Sequence, residues 1–461
     1  MSSSKQTHSI RQVEKDRFGE VFTPPTIINA MLDKLPPEVW TDPAKKWLDP
    51  AAGFGNFFME VYPRLMKSLE YVIPDPSQRR RHILTQMLYM VEYNPESCVR
   101  IRENPMFFDN NERVGVNLFC SNFLDTIFPD TNLSLHFDVI IGNPPFNSDQ
   151  THEGKKGGGS ILWPKFVEKS LSNDLLKPDG FLLFIHPALW RKPQSERSST
   201  SVRTLYHKMT QENHILYLEI HNKLDGKRVF GVQTRYDYYL LQKRPPSRER
   251  GYLTHIKDQT GRIHPSIDLA KWPFFLPNHS FEMIEPLLLP SALQESSENL
   301  SDNISNSIVL FSRCQYGSDQ PWVSETQDEH YIYPVVHSTP KAGPRILWSS
   351  KINIDSNKTH EQYERIPMFG VPKVIFGESG IHDIIVDVDG KYAMTQGAIG
   401  LKILQDADKP SGFLEQEGLR MKRVLESPKF ATIIDAMSFS NFRIDWRMFL
   451  YFHPEFYKKI Q

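Results

Sequence analysis

Short apolar runs that end in turn-forming residues recur through the first half of the chain. The β-branched run 139–141 is typical of a buried parallel strand. Pro144 and Pro145 end this strand because neither has a backbone N–H to donate. Further strands are predicted near 47–49, 88–94, 117–124, 181–187, 214–220 and 235–242. Amphipathic stretches around 58–69 and 163–176 predict helices between them, so the pattern indicates an α/β domain.

The second half of the chain has a different pattern. Candidate strands lie at 307–311, 345–348, 373–376 and 383–388, and a helical pattern begins near Leu414. The segment 243–250 is charged, contains two prolines and is poor in apolar residues. It therefore predicts a boundary between a first domain, 1–245, and a second domain of α+β class, 251–461.

A small-residue turn follows the first predicted strand and carries candidate ligand-binding residues. Gly53 and Gly55 allow the backbone to approach a ligand more closely than a residue with a Cβ would. Asp49 supplies a negative charge suited to an ammonium group. Glu92 ends the second predicted strand, where a carboxylate can accept both hydroxyls of a ribose. The turn has no Gly-Lys-Ser/Thr sequence, which argues against a phosphate-binding P-loop.

The segment after the strand 139–141 combines hydrogen-bond acceptors with a flat apolar face. Asn143 adds a side-chain carbonyl, and the two prolines leave carbonyls on a stiff backbone. Phe146 adds an aromatic surface beside them. Open α/β sheets bind ligands at the carboxyl ends of their strands. The arrangement suits a planar group with an exocyclic amine, such as a nucleobase.

Composition limits the classes of function. The chain has 461 residues and a formal net charge of −1, so any basic surface must be local. The three cysteines have no metal-ligand spacing and suggest a reducing compartment. None follows a proline, which argues against covalent attack on cytosine. No secretory signal or membrane-length apolar run is evident, and we expect a cytoplasmic or nucleoid-associated protein that contacts no membrane.

The two motifs in this order resemble those of the N6-adenine DNA methyltransferases. In that group the cofactor motif precedes Asn/Asp-Pro-Pro-Tyr/Phe, which reads Asn143-Pro144-Pro145-Phe146 here. The resemblance implies a Rossmann-like catalytic domain and a C-terminal target-recognition domain. It also implies S-adenosylmethionine as cofactor, double-stranded DNA as substrate with an extruded adenine, and no metal. A separate restriction endonuclease would be a partner.

The resemblance also assigns roles to individual residues. Asn143, Pro144, Pro145 and Phe146 would be catalytic, with Phe146 and Phe230 stacking on the base. Asn122 stands where the family has Asp, so its bond to the adenine amino group would lack a charge. The residues implied to bind the cofactor are Phe22, Thr23, Asp49, Ala51, Gly53, Gly55, Glu92, Asn122 and Phe123.

Other functions remain open at this point. N4-cytosine methylation uses a similar amine, although the family more often has Ser at the place of Asn143. Protein glutamine methylation shares the Asn-Pro-Pro-Tyr motif, but those enzymes lack a large C-terminal domain. A catalytically silent homologue would bind only DNA or a partner. The Gly- and Lys-rich segment 148–160 is interpreted as a lid, a phosphate-contacting loop or a disordered loop.

Overall fold

The structure is a computed structural model, and it divides the chain into two compact units, Met1–Ala270 and Lys271–Gln461. The residues that it describes are 22–109, 114–128, 136–147, 161–192, 200–246, 253–272, 275–289, 307–312, 315–352, 367–404, 410–439 and 443–460. No helix in these ranges is long and apolar enough to cross a membrane.

The first unit alternates strands and helices as predicted. Its strands are β1 (Trp47–Asp49), β2 (Leu88–Glu92), β3 (Phe108–Asp109), β4 (Val114–Gly115), β5 (Asn117–Cys120), β6 (Phe137–Gly142), β7 (Leu176–Pro187), β8 (His214–His221), β9 (Tyr236–Gln242), β10 (Leu253–Lys257) and β11 (Ile263–Asp268). Its helices are α1 (Pro25–Leu32), α2 (Glu38–Thr41), α3 (Asn56–Ser68), α4 (Pro76–His82), α5 (Pro95–Glu103), α6 (Trp163–Ser170), α7 (Thr200–Thr210) and α8 (Lys223–Phe230).

Nine of these strands form one sheet, in the order β11-β10-β8-β9-β7-β6-β1-β2-β5. Strands β5, β2, β1, β6 and β7 are parallel, and β9 runs antiparallel between β7 and β8. The chain builds outward from β1 through β2 to β5, then crosses back to β6 on the other side of β1. This reversal creates a topological switch point between β1 and β6, where α/β sheets bind ligands. The predicted Rossmann-like fold is therefore confirmed.

Burial explains why the central strands are nearly continuous apolar runs. Every residue of β2 and of β6 is buried, because helices cover both faces of a parallel sheet. Helix α3 presents Phe57, Phe58, Val61 and Leu65 to the core, in agreement with the predicted apolar face.

Three elements differ from the prediction. Strand β10 pairs with β8, and β11 pairs with β10, so the sheet continues beyond the predicted boundary at 243–250 to the end of the unit at Ala270. Helix α6 ends at Ser170, before the end of the predicted helix 163–176, and β7 begins at Leu176, before the predicted strand 181–187. Phe230 ends helix α8, a helix that the pattern did not predict. In each case long-range strand pairing or packing decided the outcome.

The second unit contains two four-stranded sheets, ordered β12-β19-β16-β17 and β13-β15-β14-β18. Its strands are β12 (Val309–Leu310), β13 (Val323–Ser324), β14 (Tyr333–Ser338), β15 (Arg345–Ser349), β16 (Lys373–Gly377), β17 (Gly380–Asp387), β18 (Ala393–Met394) and β19 (Ala398–Lys402). Its helices are α9 (Phe281–Ile284), α10 (Phe413–Leu425) and α11 (Pro428–Ala436). The α+β class and the four predicted strands are confirmed.

Candidate active site

A cavity of about 360 Å³ opens at the switch point of the first unit. Its wall contains most of the predicted site residues, which are brought together from five separate parts of the chain: Phe22, Thr23, Ala51, Gly53, Glu92, Asn122, Phe123, Asn143, Pro144, Pro145 and Phe146. The other three predicted residues, Asp49, Gly55 and Phe230, are not in this wall. The cavity thus joins the two sequence motifs in one site.

Gly142 lets the two motifs approach each other. A Cβ at this position would lie 2.9 Å from Asp49 Oδ1, at the end of the neighbouring strand β1. Asn143 follows directly, and its Nδ2 donates to Thr23 Oγ1 at 3.2 Å. Thr23 is itself buried. The hydrogen bond orients the Asn143 amide, so Thr23 contacts the segment 143–146 as well as the cavity.

Phe146 forms the aromatic part of the wall. Its ring centroid lies 6.2 Å from that of Phe230, with an interplanar angle of 84°. Phe230 packs edge-on against Tyr236 at 4.9 Å, and Tyr236 stacks on His221 at 4.3 Å with an interplanar angle of 6°. The predicted stacking residues are therefore neighbours. Their rings are perpendicular, so a planar group can lie parallel to only one of them in this arrangement.

Glu92 connects the glycine turn to the end of β2. Its Oε2 accepts from the Gly53 N–H and its Oε1 from the Asn94 N–H, both at 2.7 Å. A carboxylate offers about four lone-pair sites in all to hydrogen-bond donors. The side chain is buried but borders the cavity, so Glu92 can stabilise the turn and accept ligand hydroxyls together.

Asp49 differs from Glu92 although both are acidic residues at strand ends. It is fully buried, and its Oδ1 accepts from the Ala51 N–H at 3.1 Å. The pKa of its carboxyl is raised from 3.8 to about 8, mainly by burial; the Ala51 bond opposes this shift and the Glu92 charge adds to it. A largely neutral Asp49 behind the wall is a weaker ligand for an ammonium group than the sequence suggested, and that role stays a prediction.

The wall after β5 is held by side-chain contacts that the sequence did not reveal. Asn122 Oδ1 accepts from the Leu124 N–H at 3.1 Å, and its Nδ2 donates to Asp125 Oδ2 at 2.7 Å. Phe123 packs against Phe166 at 5.1 Å. Lys169 Nζ donates to three backbone carbonyls of this segment at 2.6, 3.0 and 2.8 Å. The carbonyls belong to Phe123, Leu124 and Thr126.

Lys169 is the clearest residue that sequence reasoning missed. It lies three positions after Phe166 on helix α6, and this spacing places both side chains on one face. This spacing was the signal in the sequence that could have identified Lys169. It is a weak signal, because a lysine beside an apolar helix face is usually exposed to solvent.

The glycine turn after β1 is covered by a pair of stacked aromatic rings. Phe22 stacks on Phe54 with ring centroids 4.6 Å apart, and the Arg100 guanidinium lies 4.4 Å from the centroid of Phe54. Gly55 has a φ of 81°, and a Cβ there would lie 2.5 Å from the Phe107 ring. The predicted glycine is thus required by packing and by backbone conformation.

Other sequence features have different outcomes. Cys98, on helix α5, and Cys120, at the end of β5, lie with their sulfur atoms in bonding contact and their Cα atoms 6.2 Å apart. Helix α5 follows β2, and β2 pairs with β5 in parallel. The reducing compartment stays a prediction.

His186 is fully buried, and burial lowers its pKa to about 4, consistent with a structural histidine. Cys314 and the segment 148–160 lie outside the described residues.

Sequence comparisons agree with the predicted resemblance. The family described as Eco57I restriction-modification methylase matches residues 80–230, which include Glu92 and the segment 143–146. A protein of Mycoplasma pneumoniae (strain ATCC 29342 / M129 / Subtype 1), described as an uncharacterized adenine-specific methylase, is 29% identical. That alignment covers 37% of this chain and 55% of the relative, so the chain spans about half of the relative's length. The resemblance to the N6-adenine methyltransferase family is confirmed.

Solved structures that match the chain include two from restriction-modification systems. The type IIL enzyme MmeI in complex with DNA is 10% identical, with a TM-score of 0.48 over 95% of this chain and 68% of that chain. The type I methyltransferase subunit from Streptococcus thermophilus is 13% identical, with a TM-score of 0.38 over 55% of this chain and 50% of that chain.

Proposed function

We propose that the protein transfers a methyl group from S-adenosylmethionine to N6 of an adenine in double-stranded DNA. The observation that carries the proposal is the placement of Asn143, oriented by Thr23, in the wall of a cavity that Glu92 and Phe146 also line. Acceptors for an amine, a carboxylate for a ribose and an aromatic face for a base meet in one space. The names of the matched family and of the relative support this reading.

The cavity residues fit the proposed cofactor. The Glu92 carboxylate is suited to ribose hydroxyls, and Phe22 and Phe123 offer apolar faces beside it. When bound, S-adenosylmethionine supplies an electrophilic methyl group. Gly53 would allow close backbone approach, since the position that a Cβ would occupy is 3.7 Å from the nearest side chain, the Phe22 ring.

The residues of the segment 143–146 would activate the amine. An exocyclic amine is a poor nucleophile because its lone pair is delocalised into the ring. The Asn143 side-chain oxygen and the Pro144 carbonyl can each accept one amine hydrogen, which localises the lone pair and stabilises the developing positive charge. Phe146 would hold the base plane by stacking after the base leaves the duplex. The contribution of the protein is therefore positioning and oriented dipoles.

The test is single-turnover transfer of labelled methyl to duplex DNA by Asn143→Ala, measured beside a cofactor titration. Loss of one oriented polar group in an active site costs about 10²–10³ in turnover, and we expect at least this loss with unchanged cofactor affinity. Asn143→Asp should retain some activity, because a carboxylate also accepts the bond. Near-normal turnover of Asn143→Ala would contradict the mechanism. Identification of the modified base distinguishes adenine N6 from cytosine N4.

The second unit is proposed to select the DNA sequence. The support is that the cavity described above is complete within the first unit. A fragment ending at Ala270 should bind the cofactor but lose site-selective methylation. A fragment ending at 250 should be less stable, because it lacks β10 and β11 of the sheet. Retained selectivity in the longer fragment would contradict this division. We include a separate restriction endonuclease and an intracellular location in the proposal, supported by the restriction-modification name of the family.

A further inference from the structure

The charged side chains of the segment 223–235 are mostly basic, and the segment lies beside the part of the cavity wall where Phe146 is proposed to stack on the nucleobase. It contains helix α8 and the turn that leads to β9, and it follows the carboxyl end of β8. Its last helical residue, Phe230, packs against Phe146 of the cavity wall. The segment carries four basic side chains and one acidic side chain, in a chain with a net charge of −1. The basic residues are Lys223, Lys227, Arg228 and Arg235.

The segment is folded before any partner binds. Asn222 caps the helix by accepting from the N–H groups of Leu224 and Asp225 at 2.8 and 3.0 Å. Gly231 ends it in the left-handed region, with a φ of 71°. A Cβ at Gly226 would lie only 2.0 Å from the Thr234 carbonyl oxygen, so helix and turn are in direct backbone contact. A preorganised surface binds with a smaller loss of entropy than a flexible one.

The positive charge is exposed on this surface. Lys227 is exposed, and the Arg228 side chain is 77% exposed although it pairs with Asp225 at 2.7 Å. The pKa of Lys223 is held below its usual range mainly by burial, with a smaller contribution from the nearby Arg235 guanidinium. Such a surface is complementary to a line of phosphates.

We propose that the segment 223–235 contacts the phosphate backbone of duplex DNA through Lys227 and Arg228, and so positions the duplex over the cavity. This inference rests on the proposed function. Phosphate contacts fix the position of a protein on a duplex without reading its sequence. The contact would lie next to Phe230, where the extruded base is expected.

Direct binding of the full-length protein to a labelled duplex of mixed sequence, measured by anisotropy over a series of salt concentrations, tests the inference. The double variant Lys227→Gln/Arg228→Gln should bind several-fold more weakly at low salt. Its plot of log affinity against log salt should be shallower by about two, roughly one for each lost contact. Asp225→Asn should have the opposite effect, because it removes the negative charge that pairs with Arg228.

The matched control is Lys67→Gln/Arg81→Gln. Both of these side chains are exposed, on α3 and α4 near the amino ends of the strands, and both should leave binding unchanged. A cofactor titration of each variant reports whether the first unit is folded. The inference would be overturned if the double variant bound DNA as tightly as the parent, or if the control variant lost as much affinity. Either result would leave the proposed function intact. A parent protein that binds no duplex would overturn the proposed function as well.

Discussion

The two sides of the cavity are built in different ways. On the side of the glycine turn, a buried carboxylate accepts two backbone N–H groups at 2.7 Å, and the turn is covered by the stacked pair Phe22 and Phe54. On the side of the segment 143–146, Phe146 and Phe230 meet edge to face, and Phe230 packs against Tyr236. The first side is preorganised by charge-assisted hydrogen bonds. The second is shaped by edge-to-face aromatic contacts.

This difference predicts that the two sides fail differently. Loss of a hydrogen-bonded carboxylate should affect the turn, cofactor affinity and stability together. Loss of an aromatic contact should affect the step that handles the base and leave cofactor affinity nearly unchanged. The predictions below test this separation, beginning with the largest expected effect.

Replacing Glu92 with alanine should have the largest effect. Both backbone N–H groups would lose an acceptor, and hydrogen bonds to a charged group contribute about 1.5–3 kcal/mol each. We expect at least about a tenfold loss of cofactor affinity and a lower free energy of unfolding, measured by calorimetric titration and urea denaturation. Glu92→Gln retains one carbonyl acceptor and should be intermediate. Unchanged cofactor affinity in Glu92→Ala would contradict the assigned role.

Gly142→Ala tests the close contact between the ends of β1 and β6, where the two sides of the cavity meet. Its Cβ would lie 2.9 Å from Asp49 Oδ1, so the ends of β1 and β6 would have to separate. Insertion of a methyl group into a packed site costs about 1–3 kcal/mol, and methyl transfer should fall because the two motifs move apart. Thermal unfolding and turnover check this. Gly261→Ala is the comparison in open space, although its positive φ adds strain of its own. Full activity in Gly142→Ala would show that the close approach is unnecessary.

Phe230→Leu should weaken trapping of the extruded base and leave cofactor affinity unchanged. Leucine retains most of the buried volume but removes the ring that packs edge-on against Phe146, the residue proposed to stack on the base. Such an aromatic pair contributes about 0.5–1.5 kcal/mol beyond the area it buries. Fluorescence of an adenine analogue at the target should report weaker trapping of the base, with cofactor affinity unchanged. Phe230→Tyr serves as the matched variant that keeps the ring. Equal trapping by the leucine and tyrosine variants would mean that Phe230 is only a packing residue.

The pH dependence of stability should reveal Asp49. Its pKa is raised from 3.8 to about 8 in the folded protein by burial. Between these values the folded state holds a proton that the unfolded state has released, so this group makes the protein less stable as pH rises from about 4 to about 8. Asp49→Asn cannot titrate and should be more stable relative to the parent at the upper end of this range. Urea denaturation of both proteins over the range measures the difference, and parallel curves would contradict it.

The sequence was sufficient for the parts of the site that are contiguous. The segment 143–146 could be recognised because a strand, an amide and two prolines act together within a few residues. Gly53 and Gly55 could be recognised because a turn imposes a local backbone requirement. By contrast, Lys169 is far from its acceptors in the sequence, and the pairing of Thr23 with Asn143 joins residues more than a hundred positions apart. No local pattern encodes such contacts.

The same distinction applies to the fold. Alternating apolar runs and helical faces determined the class of the first unit and the positions of its central strands along the chain, because burial in a parallel sheet requires apolar residues on both faces. The end of the unit was decided by the pairing of β10 with β8. The neutral state of Asp49 is favoured by the complete burial of its carboxyl. Hydrophobic periodicity and turn chemistry are properties of neighbouring residues, and the sequence determined what depends on them. Strand order at the sheet edge, ring orientation and pKa depend on which distant residues pack together, so only the tertiary structure decided them.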